Sequence, residues 1–318
     1  MTAPPDITAI QAAWRLIQPH VHYTPLMHSR LLDARTGARI GFKCENLQRV
    51  GAFKARGACN AVFSLSDAEA RHGVATHSSG NHGAALAMAA AQRGIAAHIV
   101  MPEGAPGVKR DAVAAYGARI IDCAPTLAAR EAALEALVDE TGAQAVHPYK
   151  DPRVIAGQGT VALEILEQMP ELEVLVVPVG GGGLLSGVAL AVKALRPEVE
   201  VVAAEPAGAD DAFRSFGLGE LQPQTNPQTI ADGLRAGLGE INFGIIQRHV
   251  DTILTVEETS IIEAMRLQWT RLKSVVEPSG AVSFAALLEH PERFAGRQVA
   301  CVISGGNVDI DRLPWHVQ

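Results

Sequence analysis

The stretch VLVVPVGGGGLLSGVALAV, residues 174–192, decides the fold. It opens as an uninterrupted run of Val and Leu, passes through four consecutive glycines at Gly180–Gly183, and continues with small and branched apolar residues. Its length raises a membrane question, but Pro178 and the glycines interrupt it. Strand, turn and helix in a buried core is the reading that fits. A strand with no polar face belongs in a parallel sheet covered on both sides.

Outward from this unit, apolar β-rich runs alternate with amphipathic helical patterns along most of the chain, which argues an α/β fold on parallel sheet. Strands are expected at 40–45, 73–77, 96–101, 118–123, 174–179, 200–204 and 298–304. Helices are expected at 83–93, 106–116, 126–141, 155–168, 187–195, 257–273 and 280–288. At 318 residues, two domains are the default and one large α/β domain the alternative. HPYKDP, His147–Pro152, is the best junction, and the Gly/Pro/Asn/Gln-rich stretch 215–239 reads as a surface excursion near a site.

Composition narrows the function. With 27 Lys+Arg against 34 Asp+Glu the net charge is −7, so no global positive field attracts nucleic acid or an anionic membrane. Aromatics at 4% leave few platforms for stacking bases. Cys44, Cys59, Cys123 and Cys301 are scattered singly, as in a cytoplasmic protein with buried thiols. The opening MTAPPDITAIQAAW has no basic stretch followed by an apolar one, so export is not expected.

Lysine is scarce, and Lys54 stands apart from Lys43, Lys109, Lys150, Lys193 and Lys273. It lies in VGAFKARGA among small and apolar neighbours, where desolvation lowers an ammonium pKa and frees a nucleophilic amine. The plainer alternative is a lysine snorkelling from a helix start. In THSSGNHGAALAMAAA a strand ends in small polar residues and a helix begins at about Asn81. Ser78, Ser79, Gly80, Asn81 and His82 could there receive a carboxylate, beyond what a simple N-cap requires. Gly180–Gly183 suggest a phosphate cup, though neither Walker A nor GxGxxG is satisfied. Glu205, ending the next strand, lies where a dinucleotide fold keeps its ribose-binding acid, so an NAD-dependent oxidoreductase is a rival. In EPAGADD, Glu205, Asp210 and Asp211 suit Mg²⁺ or Ca²⁺, or are simply exposed acids on a loop. Ser304 ends a strand before Gly305, Gly306 and Asn307, so its hydroxyl could point into a crevice. His77 and His82 complete no zinc set.

Taken in order, GAFKARGA, THSSGNHG, VGGGGLLSG, EPAGADD and SGGN resemble the fold-type II pyridoxal-phosphate enzymes of the serine/threonine dehydratase and serine racemase family. IAGQGT (155–160) and ADG (231–233) add to the likeness. The resemblance implies two open parallel-sheet domains of the tryptophan synthase β type. Residues 1–70 and 151–318 would form the large cofactor-binding domain and 71–150 the small closing domain. It implies pyridoxal 5′-phosphate with Lys54 as Schiff base, Phe53 against the ring and Asn81 on the phenolic oxygen. Gly180, Gly181, Gly182, Gly183 and Leu184 would hold the phosphate, Gly233 would line the cofactor site, and Ser304 would face the pyridine nitrogen. Ser78, Ser79, Asn81, His82 and Arg130 match substrate-carboxylate positions, and Ser79 is the acid/base on the opposite face in racemases. Glu205, Asp211 and the carbonyl of Ala209 match the family's Mg²⁺ or Ca²⁺ site. Ala236 and Gly237 stand where serine racemases usually carry Ser. The expected activity is an ammonia-lyase converting L-serine, L-threonine or 3-hydroxyaspartate to a 2-oxo acid, in a cytoplasmic homodimer, with an amino-acid racemase as the alternative. The oxidoreductase would leave Lys54 idle, and a non-catalytic amino-acid-binding protein would not keep it.

Overall fold

The computed structural model describes residues 3–78, 80–105 and 107–315. In chain order the strands are β1 (Leu26–Met27), β2 (Arg39–Cys44), β3 (Val74–His77), β4 (Ala97–Pro102), β5 (Arg119–Cys123), β6 (Gln144–Ala145), β7 (Val174–Pro178), β8 (Glu200–Pro206), β9 (Thr252–Val256) and β10 (Gln298–Ile303). They form a six-stranded sheet ordered β1-β2-β10-β7-β8-β9 and a four-stranded sheet ordered β5-β4-β3-β6. Every pairing is parallel except β1 with β2. This is the two-sheet α/β architecture expected from the sequence. All strands of the smaller sheet fall between 74 and 145.

Burial on both faces explains the continuous apolar runs. Val174, Val176, Val202, Val299 and Cys301 pack into one core, while Leu175, Val177, Val201, Ala203 and Ala300 point into the other. Elements without such a run were not legible. β6 is two residues long, and the helix Lys54–Phe63 is buried around nearly its whole circumference, so it shows no polar stripe. The helix expected from 187 begins at Gly183, because Gly182 adopts φ +88 and ends the turn at once. The helix expected over 257–273 runs as Glu258–Leu267 and then widens into a π-helical turn, Gln268–Leu272.

Helix Lys54–Phe63 is the hub between the sheets. It packs against helix Asn81–Arg93 on one side and helix Pro152–Gln168 on the other. IAGQGT serves this contact: a Cβ on Gly157 would meet the Gly57 Cα at 2.6 Å, and Gln158 Oε1 accepts the Gly57 N–H at 3.1 Å. Beneath lies a fully buried ionic network of Lys43, Glu45, Arg56 and Glu164. Arg56 donates to Glu45 through Nε and Nη2 (2.8 Å each) and to Glu164 through Nη1 (2.7 Å). Lys43 Nζ donates to Glu164 and to the Thr24 carbonyl, and the Thr24 hydroxyl donates to Glu45 at 2.6 Å. Two cations and two anions balance, so no charge is left uncompensated.

Removing one member strands the others. Arg56→Met is expected to cost about 3–5 kcal/mol in urea unfolding. Arg35→Met, which breaks an exposed pair with Glu263, should cost under about 1 kcal/mol. Equal losses would show that the buried network is not what holds this helix.

Candidate active site

The carboxyl ends of the strands of both sheets supply the candidate residues, as open α/β sheets require. Lys54 opens its helix half-buried, with Nζ donating to the Pro148 carbonyl at 3.0 Å and lying 5.0 Å from the Phe53 ring centroid. Burial alone pushes its pKa down to about 8. Phe53 N–H donates to the Ser304 carbonyl at 3.1 Å, and Ala52 bridges Gly305, which brings the buried Ser304 beside Lys54.

Facing this, β3 ends at His77 and helix Asn81–Arg93 starts after Gly80, which donates its N–H to Ser78 Oγ at 3.4 Å. The first N–H groups of that helix have no carbonyl one turn back. Asn81 Nδ2 donates to Glu277 at 2.9 Å, and its Oδ1 accepts from Asn307 Nδ2 at 2.9 Å. The second amide hydrogen of Asn81 therefore remains for a ligand. His82 lies in the first turn of that helix. Its ring is buried and its Nε2 pairs with the Val146 carbonyl at 3.2 Å, which leaves the backbone N–H as the group it can offer a ligand. Ser79 lies outside the described residues. Arg130 Nε bonds the Thr126 carbonyl at 3.4 Å, and the guanidinium lies within electrostatic reach of His77 and Tyr149.

Gly180–Gly183 form a cradle that no larger residue could make. A Cβ would meet Leu234 Cα at 2.8 Å from Gly180, the Tyr149 ring at 2.6 Å from Gly181, and Tyr149 Cβ at 2.9 Å from Gly183. Leu184 is buried in the first turn of the helix that follows. Gly233 N–H donates to Ser279 Oγ at 3.0 Å, so ADG borders the same region as EPSG, 277–280. At the end of β8, Glu205 accepts from the N–H groups of Ala212 and Phe213, and Asp211 accepts from Leu238 N–H and Gln224. Both acids and Ala209 are buried. Burial pushes the Glu205 pKa well up and that of Asp211 to about 6. Glu205 is thus committed to the first turn of helix Asp211–Leu218, not extended toward a ribose.

Sequence reading passed over Glu277, His147 and Tyr149. Glu277 is buried with its carboxyl pushed up to about 8, chiefly by desolvation. A Cβ on Gly305 would meet its Oε1 at 2.4 Å. The one signal was Glu before Pro at a helix start, which is indistinguishable from ordinary capping.

A family model described as pyridoxal-phosphate dependent enzyme matches residues 17–305. A protein of Paracoccus denitrificans (strain Pd 1222) described as beta-hydroxyaspartate dehydratase is 49% identical over 98% of this chain and 99% of its own length. A serine racemase of Arabidopsis thaliana is 48% identical over 97% and 95%. The structure of maize serine racemase superposes with a TM-score of 0.96 at 45% identity, covering 99% of this chain and 97% of that one. The dinucleotide oxidoreductase is thereby set aside.

Desolvation of Lys54 has a measurable sign. In cofactor-free protein its amine should titrate near pH 8 in competitive acetylation, and a midpoint at the usual 10.5 would refute this. The folded chain then binds fewer protons at Lys54 than the unfolded one between those values, so stability rises with pH across that window, and Lys54→Met should flatten the rise.

Proposed function

The chain belongs to the pyridoxal-phosphate dependent enzymes, and from that premise we propose an ammonia-lyase that converts a β-hydroxy amino acid to a 2-oxo acid and ammonia. One observation carries the reading: a desolvated lysine amine with no acidic partner among the described residues stands at the strand ends, in the same crevice as a glycine cradle and a helix N-terminus. The residues fit the cofactor. Gly180–Gly183 and Leu184 would take its phosphate, Lys54 its aldehyde carbon, Asn81 its phenolic oxygen and Ser304 its ring nitrogen, with Phe53 and Gly233 alongside. Bound there, the cofactor supplies an electron sink for charge developing at the substrate Cα.

The chain does the rest. Ser78 and the N–H groups opening helix Asn81–Arg93 would orient the substrate carboxylate, with Arg130 closing from the smaller domain. Lys54, with its amine neutral above about pH 8, would take the α-proton, and the ammonium so formed can return a proton to the departing β-hydroxyl, which leaves as water. The Pro148 carbonyl aims the amine lone pair away from itself by holding one N–H. Ser304 offers the ring nitrogen a hydroxyl rather than a full charge, which favours expulsion of the β-substituent over a long-lived carbanion. The likeness to serine racemases supports a second reading in which Ser79 exchanges the α-proton from the opposite face.

We assign residues 1–70 and 151–318 to the cofactor-binding domain and 71–150 to the closing domain, in a cytoplasmic homodimer. Four buried, unpaired cysteines support a reducing compartment. The exposed side chains of Leu47 and Val275, flanking the bond from Asn46 Nδ2 to Ser274 Oγ, support an apolar contact between copies. Among the described residues no helix is long and apolar enough to cross a membrane.

Glu205, Asp211 and the Ala209 carbonyl are the proposed Mg²⁺ or Ca²⁺ ligands. Burial raises the pKa of both carboxyls, and Asp211 raises that of Glu205 further; no Lys or Arg is bonded to either among the described residues, and a divalent cation would relieve both.

Purified protein with pyridoxal phosphate should show a visible band that borohydride fixes at Lys54, and should release a 2-oxo acid from a β-hydroxy amino acid. Lys54→Ala should lose both, and a borohydride adduct at another lysine would defeat the assignment. Chelation should lower the melting temperature and Mg²⁺ or Ca²⁺ restore it. A metal response that survives Glu205→Gln would exclude this site.

A further inference from the structure

Asn307, the last residue of SGGN, closes a ring of hydrogen bonds around the Asn81 carboxamide. Its Nδ2 donates to Asn81 Oδ1 at 2.9 Å and to the Val50 carbonyl at 2.7 Å, and its backbone N–H donates to Glu277 Oε2 at 3.1 Å. Glu277 Oε1 completes the ring by accepting from Asn81 Nδ2 at 2.9 Å. The backbone is shaped to admit these contacts. Val50 adopts φ 56, uncommon for a β-branched residue, and Gly51 follows at φ 68, so the turn before Lys54 presents the Val50 carbonyl to Asn307. A Cβ on Gly51 would meet Asn307 Oδ1 at 2.6 Å, and one on Gly305 would meet Asn81 Nδ2 at 3.2 Å.

A carboxamide offers oxygen at one end and two N–H groups at the other, and its partners decide which way round it sits. Glu277 alone does not decide it. Burial pushes that carboxyl up to about 8, with Asp232 adding to the push and Lys109 easing it, so at neutral pH it is largely protonated. A protonated carboxyl donates as well as accepts and would satisfy either end of Asn81. The Val50 carbonyl, by contrast, can only accept. It draws the nitrogen of Asn307, and the second hydrogen on that nitrogen goes to Asn81, which must answer with oxygen. Asn81 Nδ2 is thereby turned toward Glu277 and keeps one hydrogen free.

We propose that Asn307 is a positioning residue: anchored on the Val50 carbonyl, it fixes the Asn81 carboxamide so that Asn81 meets the phenolic oxygen of the cofactor as a donor and never as an acceptor. This rests on the placing of that oxygen at Asn81, and not on which amino acid the enzyme dehydrates. No proton moves and no bond breaks at Asn307, which acts only through Asn81.

Titration of the cofactor-free protein with pyridoxal 5′-phosphate tests it, read as the dissociation constant and the absorption spectrum of the complex. Asn307→Ala should weaken binding about tenfold, as when one well-placed hydrogen bond is given up. A phenolic oxygen without its donor holds its own proton more readily, so intensity should pass from the visible band to the near ultraviolet. Asn307→Asp should shift it further, because an oxygen at that place invites the Asn81 nitrogen and reverses the amide. The side chain is exposed, so neither variant should move the melting temperature of the cofactor-free protein by more than about 2 °C. In an Asn81→Ala background, Asn307→Ala should change the dissociation constant by less than about twofold. Unchanged binding and spectrum in both variants, or the same loss with and without Asn81, overturns the proposal. A larger fall in melting temperature with an unaltered spectrum would make Asn307 structural and overturn it too. If the expected pattern appears but no β-hydroxy amino acid yields a 2-oxo acid, the lyase reading falls and the role of Asn307 stands. Production of 2-oxo acid with binding and spectrum unchanged in both variants does the reverse.

Discussion

Arg56 and its two carboxylates are the constraint on which the rest of the molecule depends. Four charged side chains are removed from water, and they are stable there only because each donor finds an acceptor in a fixed place. Those places lie on β2, on the turn after it, on helix Lys54–Phe63 and on helix Pro152–Gln168. The network therefore sets where one helix begins relative to a strand and another helix. Lys54 is at that beginning, so geometry fixed by charge in the interior governs an amine at the edge.

The crevice itself works by the opposite logic. Lys54, His82 and His147 all have pKa values pushed down by burial, and Glu277 and Asp211 have theirs pushed up. The protein alone thus keeps a weakly charged crevice, bounded by backbone donors and glycine faces. A phosphate, a substrate carboxylate and a cation would bring the strong charges with them and find their counterparts already oriented, which is how preorganised sites avoid reorganisation during reaction.

Legibility in the sequence followed local chemistry. Strands buried on both faces read as apolar runs, and the turns after β3 and β7 read as clusters of glycine and small polar residues, because each demand is met within a few neighbouring positions. Lys54 was visible because small neighbours remove water from an amine. His147 and Glu277 were not, since an isolated His or Glu acquires a fixed tautomer or an unusual proton affinity only from groups far along the chain, such as Asn81 opposite Glu277. Helix Lys54–Phe63 escaped for a related reason: Arg56 and Asn60 look solvent-facing until their partners are known. Resemblance of ordered motifs supplied what periodicity could not.

Strand β10 lies between β2 and β7 in the larger sheet although β8 and β9 also precede it in the chain. During translation the flanks of β2 and β7 that will receive it stay open until Gln298–Ile303 has emerged. Parallel strands with bare backbone edges and apolar faces are templates for wrong partners. The smaller sheet has no such wait, because its four strands are contiguous in the chain. A nascent polypeptide of this kind can complete its smaller sheet early and must shelter the larger one until β10 fills the gap.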